Sequence, residues 1–184
     1  MKTLCVMAIG SVPSQVLDWV ESVAAEWCPW PIRRLPALGL PEGAYDESRS
    51  QYQSVEFMKA VARCKPSDAA RILGVTEVDL AIPMLTFVFG QAQLDGPVAV
   101  LSLCRLRQEF YGQDGEEGLL RERVVKETLH ELGHTFGLTH CAEPTCVMSL
   151  ATHIGLVDNK KERYCARCGK QIMRRFSSPD GETI

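Results

Sequence analysis

Histidine, basic charge and long apolar runs are all in short supply in this chain, and each shortage removes a class of function. No stretch of the 184 residues stays apolar for the roughly 20 positions that a membrane-spanning helix needs. A formal net charge of −3 gives no broad basic surface for nucleic acid or an anionic membrane, so neither is an expected partner. A phosphate-binding glycine loop is missing: residues 111–118 (Y-G-Q-D-G-E-E-G) are glycine-rich but acidic, and read as a solvated linker. Internal repeats and low-complexity segments are lacking too. Met1 and Lys2 precede only a short apolar run to Ile9 and Gly10, which suits an opening strand better than a secretory leader. A cytoplasmic protein is expected.

What remains is ordinary for a soluble domain: 46% apolar and 23% charged residues, enough for one core across residues 1–184. Cysteine is the exception, with eight. In a reducing compartment these serve as metal ligands or buried thiols in preference to disulfides. Cys5, Cys28, Cys64 and Cys104 are scattered through apolar segments and read as buried thiols. Cys141, Cys146, Cys165 and Cys168 are clustered, and can complete a tetrahedral zinc site with no open position, which is a structural site.

The histidines are few but concentrated. Of four, three fall in H-E-L-G-H-T-F-G-L-T-H, residues 130–140. His130 and His134 are four apart, so a helix presents both imidazoles on one face. Glu131 then lies beside a shared ion, where a carboxylate can take a proton from a water that the metal activates. His140 is harder to place. A continuing helix would carry it about 9 Å along the axis and onto the far side, whereas zinc holds nitrogen at about 2.0–2.1 Å. The helix therefore has to stop, and Gly137 stands where a left-handed residue ends a helix without steric cost. Three imidazoles, one open position and a nearby base make a catalytic arrangement.

These residues resemble the metzincin pattern of zinc peptidases, H-E-x-x-H-x-x-G-x-x-H with a downstream methionine, here Met148. Cys141 directly after the third histidine, Cys146 two before Met148, and the later pair Cys165 and Cys168 narrow the resemblance to the archaemetzincins, in which a four-cysteine zinc site is fused to the active-site segment. The T-F-V-F-G run at 86–90 and a strand ending in Cys104, Arg105 and Leu106 suit the same family.

The resemblance implies an α/β (α+β) fold with a mixed, mostly parallel twisted sheet, an antiparallel edge strand, packed helices and an active-site helix. An upper subdomain (1–137) would sit on a small zinc-stabilised lower one (138–184). Met148 would form a floor beneath the imidazoles. Phe87, Val88, Phe89 and Gly90 would form an edge to which a peptide substrate adds as an extra strand. Two zinc ions per chain, one catalytic and one structural, complete what it implies; the sequence leaves the oligomeric state open, and a monomer is expected.

Along the chain, residues 3–9 read as a buried strand, and Val16, Leu17, Val20, Val23, Ala24 and Trp27 as a helix after Pro13. Residues 30–38 give a second extended piece. Val55, Met58, Val61 and Ala62 mark a helix ending near Pro66, and Ala69 to Leu73 a short helix closed by Gly74. Runs at 78–82, 86–91 and 97–103 read as strands, the middle one antiparallel. A helix from Leu119 carries Val124, Val125, Leu129 and Leu132 as an apolar stripe. Lys160, Lys161, Arg163, Arg167, Lys170, Arg174 and Arg175 surround the second cysteine pair and can offset the negative charge of a four-thiolate zinc. Ile172, Met173 and Phe176 anchor a closing helix, and Gly169 either sits awkwardly within it or marks a knuckle turn at the zinc.

The function that follows is zinc-dependent peptide hydrolysis with Glu131 as general base. Two after Met148, where some metzincins carry an oxyanion-assisting tyrosine, stands Leu150; Tyr111 is a candidate substitute, and His153 a surface or pocket-rim residue. No acidic pair for a substrate amine is identifiable, which leaves aminopeptidase and endopeptidase action equally open. Two rivals are a non-catalytic zinc-stabilised module that recruits a protein partner through the four-cysteine site, and a hydrolase for some other substrate.

Overall fold

A computed structural model of the chain describes residues 2–177. Residues 178–184 of the 138–184 segment therefore lie outside the described residues. The elements run β1 (Thr3–Ile9), α1 (Ser14–Trp27), β2 (Ile32–Arg34), β3 (Tyr45–Asp46), β4 (Gln51–Gln53) and α2 (Ser54–Cys64). Then come β5 (Ala69–Thr76), β6 (Leu80–Ala81), β7 (Gly90–Ala92), β8 (Val98–Ser102), α3 (Glu117–Thr135), α4 (Ile154–Asn159) and α5 (Ala166–Ser177).

Five strands form the central sheet in the order β2-β1-β5-β8-β7. All neighbours are parallel except β7, which runs antiparallel to β8 at the edge. The strand side chains alternate between two cores, as the pleat requires. Leu4, Val6, Ala8, Leu73, Val75, Ala99 and Leu101 face α1 and α3. Cys5, Met7, Ile9, Ile72, Val98 and Val100 face α2 through Phe57, Met58 and Val61. Burial on both faces explains why these strands read as continuous apolar runs. The expected mixed, mostly parallel sheet with its antiparallel edge is present.

Residues 69–73 are not a helix. They open β5, the middle strand of the sheet, bonded to β1 on one side and β8 on the other. Alanine, arginine and leucine favour a helix locally, but partners far away in sequence overrule that preference. Gly74 is therefore not a helix stop. A Cβ there would lie 2.7 Å from both Ile9 Cδ1 and Val61 Cγ2, so its absence lets α2 pack closely on the sheet. The 78–82 run contributes only β6, which joins β3 and β4 in a small second sheet. β8 ends at Ser102, and residues 104–106 form a 3-10 turn in place of the expected strand end.

Three further expectations are settled or changed. Gly169 lies inside α5, the helical one of its two readings, and the helix continues past it. Met173 is exposed, while Ile172 is buried and Phe176 packs against the core. Lys160 is fully buried, paired with Glu127 at 2.8 Å, and so is no part of a basic surface around the cysteines.

The close approach at Gly74 sets a test. Gly74→Ala is expected to lower stability by about 1–3 kcal/mol through overpacking against the stiff Val61 side chain. Gly169→Ala, which meets nothing within 4 Å in mid-helix, is expected to raise it by about 0.5–1 kcal/mol. Urea denaturation of both variants measures the difference.

Candidate metal centre

The end of α3 reverses the chain where the histidine spacing requires it. Gly137 takes a φ of +85°, its N–H donates to the His134 carbonyl at 2.9 Å, and the Leu138 N–H donates to the Gly133 carbonyl at 3.0 Å. This crossed pair is a Schellman ending. It brings His140 back beside the helix, with its ring 5.3 Å from His130 and 5.0 Å from His134 between centroids. The ligand nitrogens of all three lie within 4.8 Å of one another.

Two carbonyls decide which nitrogens are free. His130 Nδ1 lies 2.8 Å from the Val147 carbonyl, and His134 Nδ1 lies 2.7 Å from the Leu138 carbonyl. A carbonyl only accepts, so both Nδ1 atoms carry the proton and both Nε2 atoms are bare. Those Nε2 atoms are 3.2 Å apart, close to the roughly 3.3 Å between two nitrogens on tetrahedral zinc. Burial, with the Lys160 charge second, pushes His130 well below its ordinary 6.5, and burial lowers His134 and His140 too. All three are held neutral, the form a metal takes.

Glu131 sits beside them, 3% exposed. Burial above all, then the neighbouring Glu127, pushes its carboxyl well above the carboxylate range. Its Oε2 is buried without a hydrogen-bond partner, and its other oxygen lies against β7: a Cβ on Gly90 would come within 2.5 Å of Glu131 Oε1. Gly90 thus makes room for the carboxylate. Gly133 does the same for Met148, whose buried sulfur would collide with a Cβ one turn along the histidine-bearing face.

The four clustered cysteines also meet. Their sulfurs lie within 4.8 Å of one another, and those of Cys141 and Cys165 are 3.8 Å apart. Tetrahedral zinc with sulfur at about 2.3 Å separates its ligands by about 3.8 Å. Backbone N–H groups of Glu143 and Cys165 point at Cys141 and Cys146 sulfurs, and the Arg167 guanidinium donates to Cys141 Sγ at 3.3 Å. The Cys168 backbone N–H pulls Cys165 down to about 7. Both donor sets fit zinc.

A cleft of about 660 Å³ opens over the histidines, lined by the 85–92 segment, by Leu150–Thr152 and by His130, Glu131, His134 and His140. The model of Peptidase family M54 matches residues 35–174. The archaemetzincin of Methanocaldococcus jannaschii is 39% identical over 175 residues, covering 94% of this chain and 93% of that protein.

The chain belongs to peptidase family M54, the archaemetzincins.

Solved structures agree. The archaemetzincin of Methanopyrus kandleri superposes with a TM-score of 0.85 at 38% identity, covering 96% of each chain. A zinc-dependent peptidase from Methanocorpusculum labreanum gives 0.80 at 30% identity, covering 92% of this chain and 99% of that one. As a member of the archaemetzincins, the chain is a zinc metallopeptidase. No helix among the described residues is long and apolar enough to cross a membrane.

Several archaemetzincin positions fall elsewhere than the sequence suggests. Phe87, Val88, Phe89 and Gly90 all line the cleft, but the paired strand starts only at Gly90, and Val88 instead bonds across to Leu80. Tyr111 is not among the cleft-lining residues, and its hydroxyl donates to the Arg105 carbonyl. His153, at the N-cap position of α4, is exposed and so is a surface residue, while Leu150 lines the cleft. The Glu127–Lys160 pair does reach the cleft, with Lys160 Nζ 3.5 Å from His130 Nδ1. Only the spacing of Glu127 four before Glu131 hints at it in the sequence.

Two measurements follow. Gly90→Ala is expected to push Glu131 aside and lower kcat by about 10²-fold with zinc content unchanged, since an ångström of misplacement costs that much; full activity would show that Glu131 tolerates the shift. In zinc-free protein, the unfolded chain protonates these imidazoles near 6.5 and the folded chain resists, so they make stability fall as pH drops below that value. ¹⁵N NMR at about pH 6 should find His130 neutral with its proton on Nδ1, and an imidazolium signal there would contradict the assignment.

Proposed function

We propose that this archaemetzincin hydrolyses peptide bonds at the three-histidine site and holds two zinc ions per chain. One is held by His130, His134 and His140, the other by Cys141, Cys146, Cys165 and Cys168. The observation that carries this reading is the pair of bare Nε2 atoms 3.2 Å apart, with the partnerless Oε2 of Glu131 buried beside them. Zinc in the histidine site would supply a Lewis acid that polarises the scissile carbonyl and acidifies a water.

Glu131 then does the proton work. Its Oε2 takes a proton from the attacking water and passes it to the leaving amine nitrogen. β7 supplies grip. Phe89 accepts from the Ser102 N–H and Gln93 donates to the Val98 carbonyl, so the alternation of an antiparallel pair turns the main-chain groups of Gly90 and Ala92 away from β8. Both residues line the cleft, where an extended peptide can bond to them.

The cysteine site is structural in this account. Cys141 follows His140 directly, and its N–H donates to the Met148 carbonyl at 2.9 Å, so closing the sulfur cage fixes the loop that returns His140 and the methionine floor together. The described part of the 138–184 segment, residues 138–177, acts as a lower subdomain with little core of its own, because its buried Met148, Val157 and Ile172 join the core of the rest of the chain, and the metal would add stability there. Eight free cysteines among the described residues fit a cytoplasmic, reducing location. A recruiting module would have no use for a buried, partnerless carboxylate beside an open ligand set.

Glu131→Gln is expected to cut turnover of a peptide library by about 10²–10⁴-fold while native mass spectrometry still counts two zinc ions, the histidine-bound one leaving first under mild chelation. Unimpaired turnover would remove Glu131 from the chemistry, and a single retained zinc would remove the histidine site.

A further inference from the structure

We propose, resting on the peptidase reading above, that Arg49 is a positioning residue for peptide binding: its guanidinium clamps the loop at 82–86 and so holds one wall of the cleft in its substrate-binding shape.

That wall needs a clamp. Leu85, Thr86 and Phe87 line the cleft, yet no helix or strand covers residues 82–87. Burial does not hold the loop either, since Met84 is 91% exposed and Leu85 52%. A surface loop with so little apolar packing opens at low cost unless polar bonds fix it. One end is tied where the Val88 N–H donates to the Leu80 carbonyl at 2.9 Å.

Arg49 ties the rest. From the turn between β3 and β4, its Nη1 donates to the Ile82 carbonyl at 3.2 Å. Its Nη2 donates to the Leu85 and Thr86 carbonyls at 2.6 and 2.9 Å. Three carbonyls of one loop thus converge on one cation, and such charge-assisted bonds are roughly twice as strong as neutral ones. Arg49 is itself aimed, because its Nε donates to Gln51 Oε1 at 3.1 Å. The buried Gln51 amide donates in turn to the Thr86 carbonyl at 2.9 Å and to Asp79 at 2.8 Å. Asp79 grips Arg105 through two bonds of 2.7 and 2.8 Å, and the Arg105 guanidinium lies over the Phe87 ring at 4.1 Å. This circuit starts and ends on the cleft wall, at carbonyls on one side and at the Phe87 ring on the other. Lysine cannot replace Arg49 in it, because a single ammonium lacks the planar fork that reaches several acceptors at once.

The clamped loop runs on through Phe87 and Val88 into β7, so a peptide lying along Gly90 and Ala92 also meets this wall. A wall ordered beforehand spares the peptide the cost of ordering it. The Arg49 bonds go to the loop and to Gln51, and none goes to the histidines or Glu131. The clamp therefore serves binding and not the chemical step.

Arg49 is only partly buried, so Arg49→Ala should fold and load zinc as the wild type does. Its KM for an unstructured peptide is expected to rise about tenfold with kcat within about twofold. A merely structural loss would shrink the active fraction instead, lowering kcat at unchanged KM. Arg49→Lys keeps the charge and should retain most of the KM rise. By calorimetry, adding Arg49→Ala to zinc-loaded Glu131→Gln should weaken binding of the same peptide about tenfold. Chymotrypsin should nick zinc-free Arg49→Ala at Met84 or Leu85 about tenfold faster than the wild type. Unchanged KM, full rescue by lysine, or unchanged nicking would overturn the clamp and leave the peptidase reading standing. A wild-type enzyme that cuts no peptide would overturn both.

Discussion

Between His134 and His140 the chain must leave a helix, reverse, and return to the point it has just passed. Everything at the site depends on how that reversal is held. Gly137 adopts the left-handed conformation, and the two crossed bonds to His134 and Gly133 satisfy carbonyls that a helix end would otherwise leave open. The Leu138 carbonyl emerging from the same turn accepts the His134 Nδ1–H. One turn therefore delivers the third histidine and fixes the tautomer of the second.

The cysteine loop repeats that economy on the other side. Val147 lies between Cys146 and Met148, and its carbonyl accepts the His130 Nδ1–H. The backbone that positions this carbonyl is tied to Cys141 by the Cys141–Met148 bond and to the second cysteine pair through Cys146. The two ligand sets thus communicate through backbone carbonyls as well as through adjacency in sequence. Below them, α3 carries two ion pairs to the segment around the end of α4, Arg123 with Asp158 and Glu127 with Lys160. Breaking the second, which is wholly buried, would strand a charge, so it fixes that segment firmly against the helix.

The metal-binding pattern was legible because its physics is local. Helical spacing, one glycine and a run of ligand side chains can all be read within a few turns of chain. The antiparallel edge was legible for a similar reason, since the links from 86–91 to 97–103 are short. β5 was not. Its alanines, arginine and leucine look helical, and the partners that make it a strand, β1 and β8, lie far off in sequence. Lys160 misled likewise: within a basic run it looks solvated, and only the fold reveals that Glu127 claims it. The roles of Gly90 and Gly133 as empty space for Glu131 and Met148 leave no local mark either, because each is defined by what another segment needs.

The proposed function requires two distinct zinc environments in one small chain, one built by the reversal at Gly137 and one by the sulfur cage. Zinc K-edge X-ray absorption on the fully loaded protein tests this directly. Equal populations are expected of zinc with imidazole nitrogen and oxygen at about 2.0–2.1 Å and of zinc with four sulfurs at about 2.3 Å. A spectrum containing sulfur-bound zinc alone, or mixed sulfur and nitrogen ligands on one ion, would contradict it.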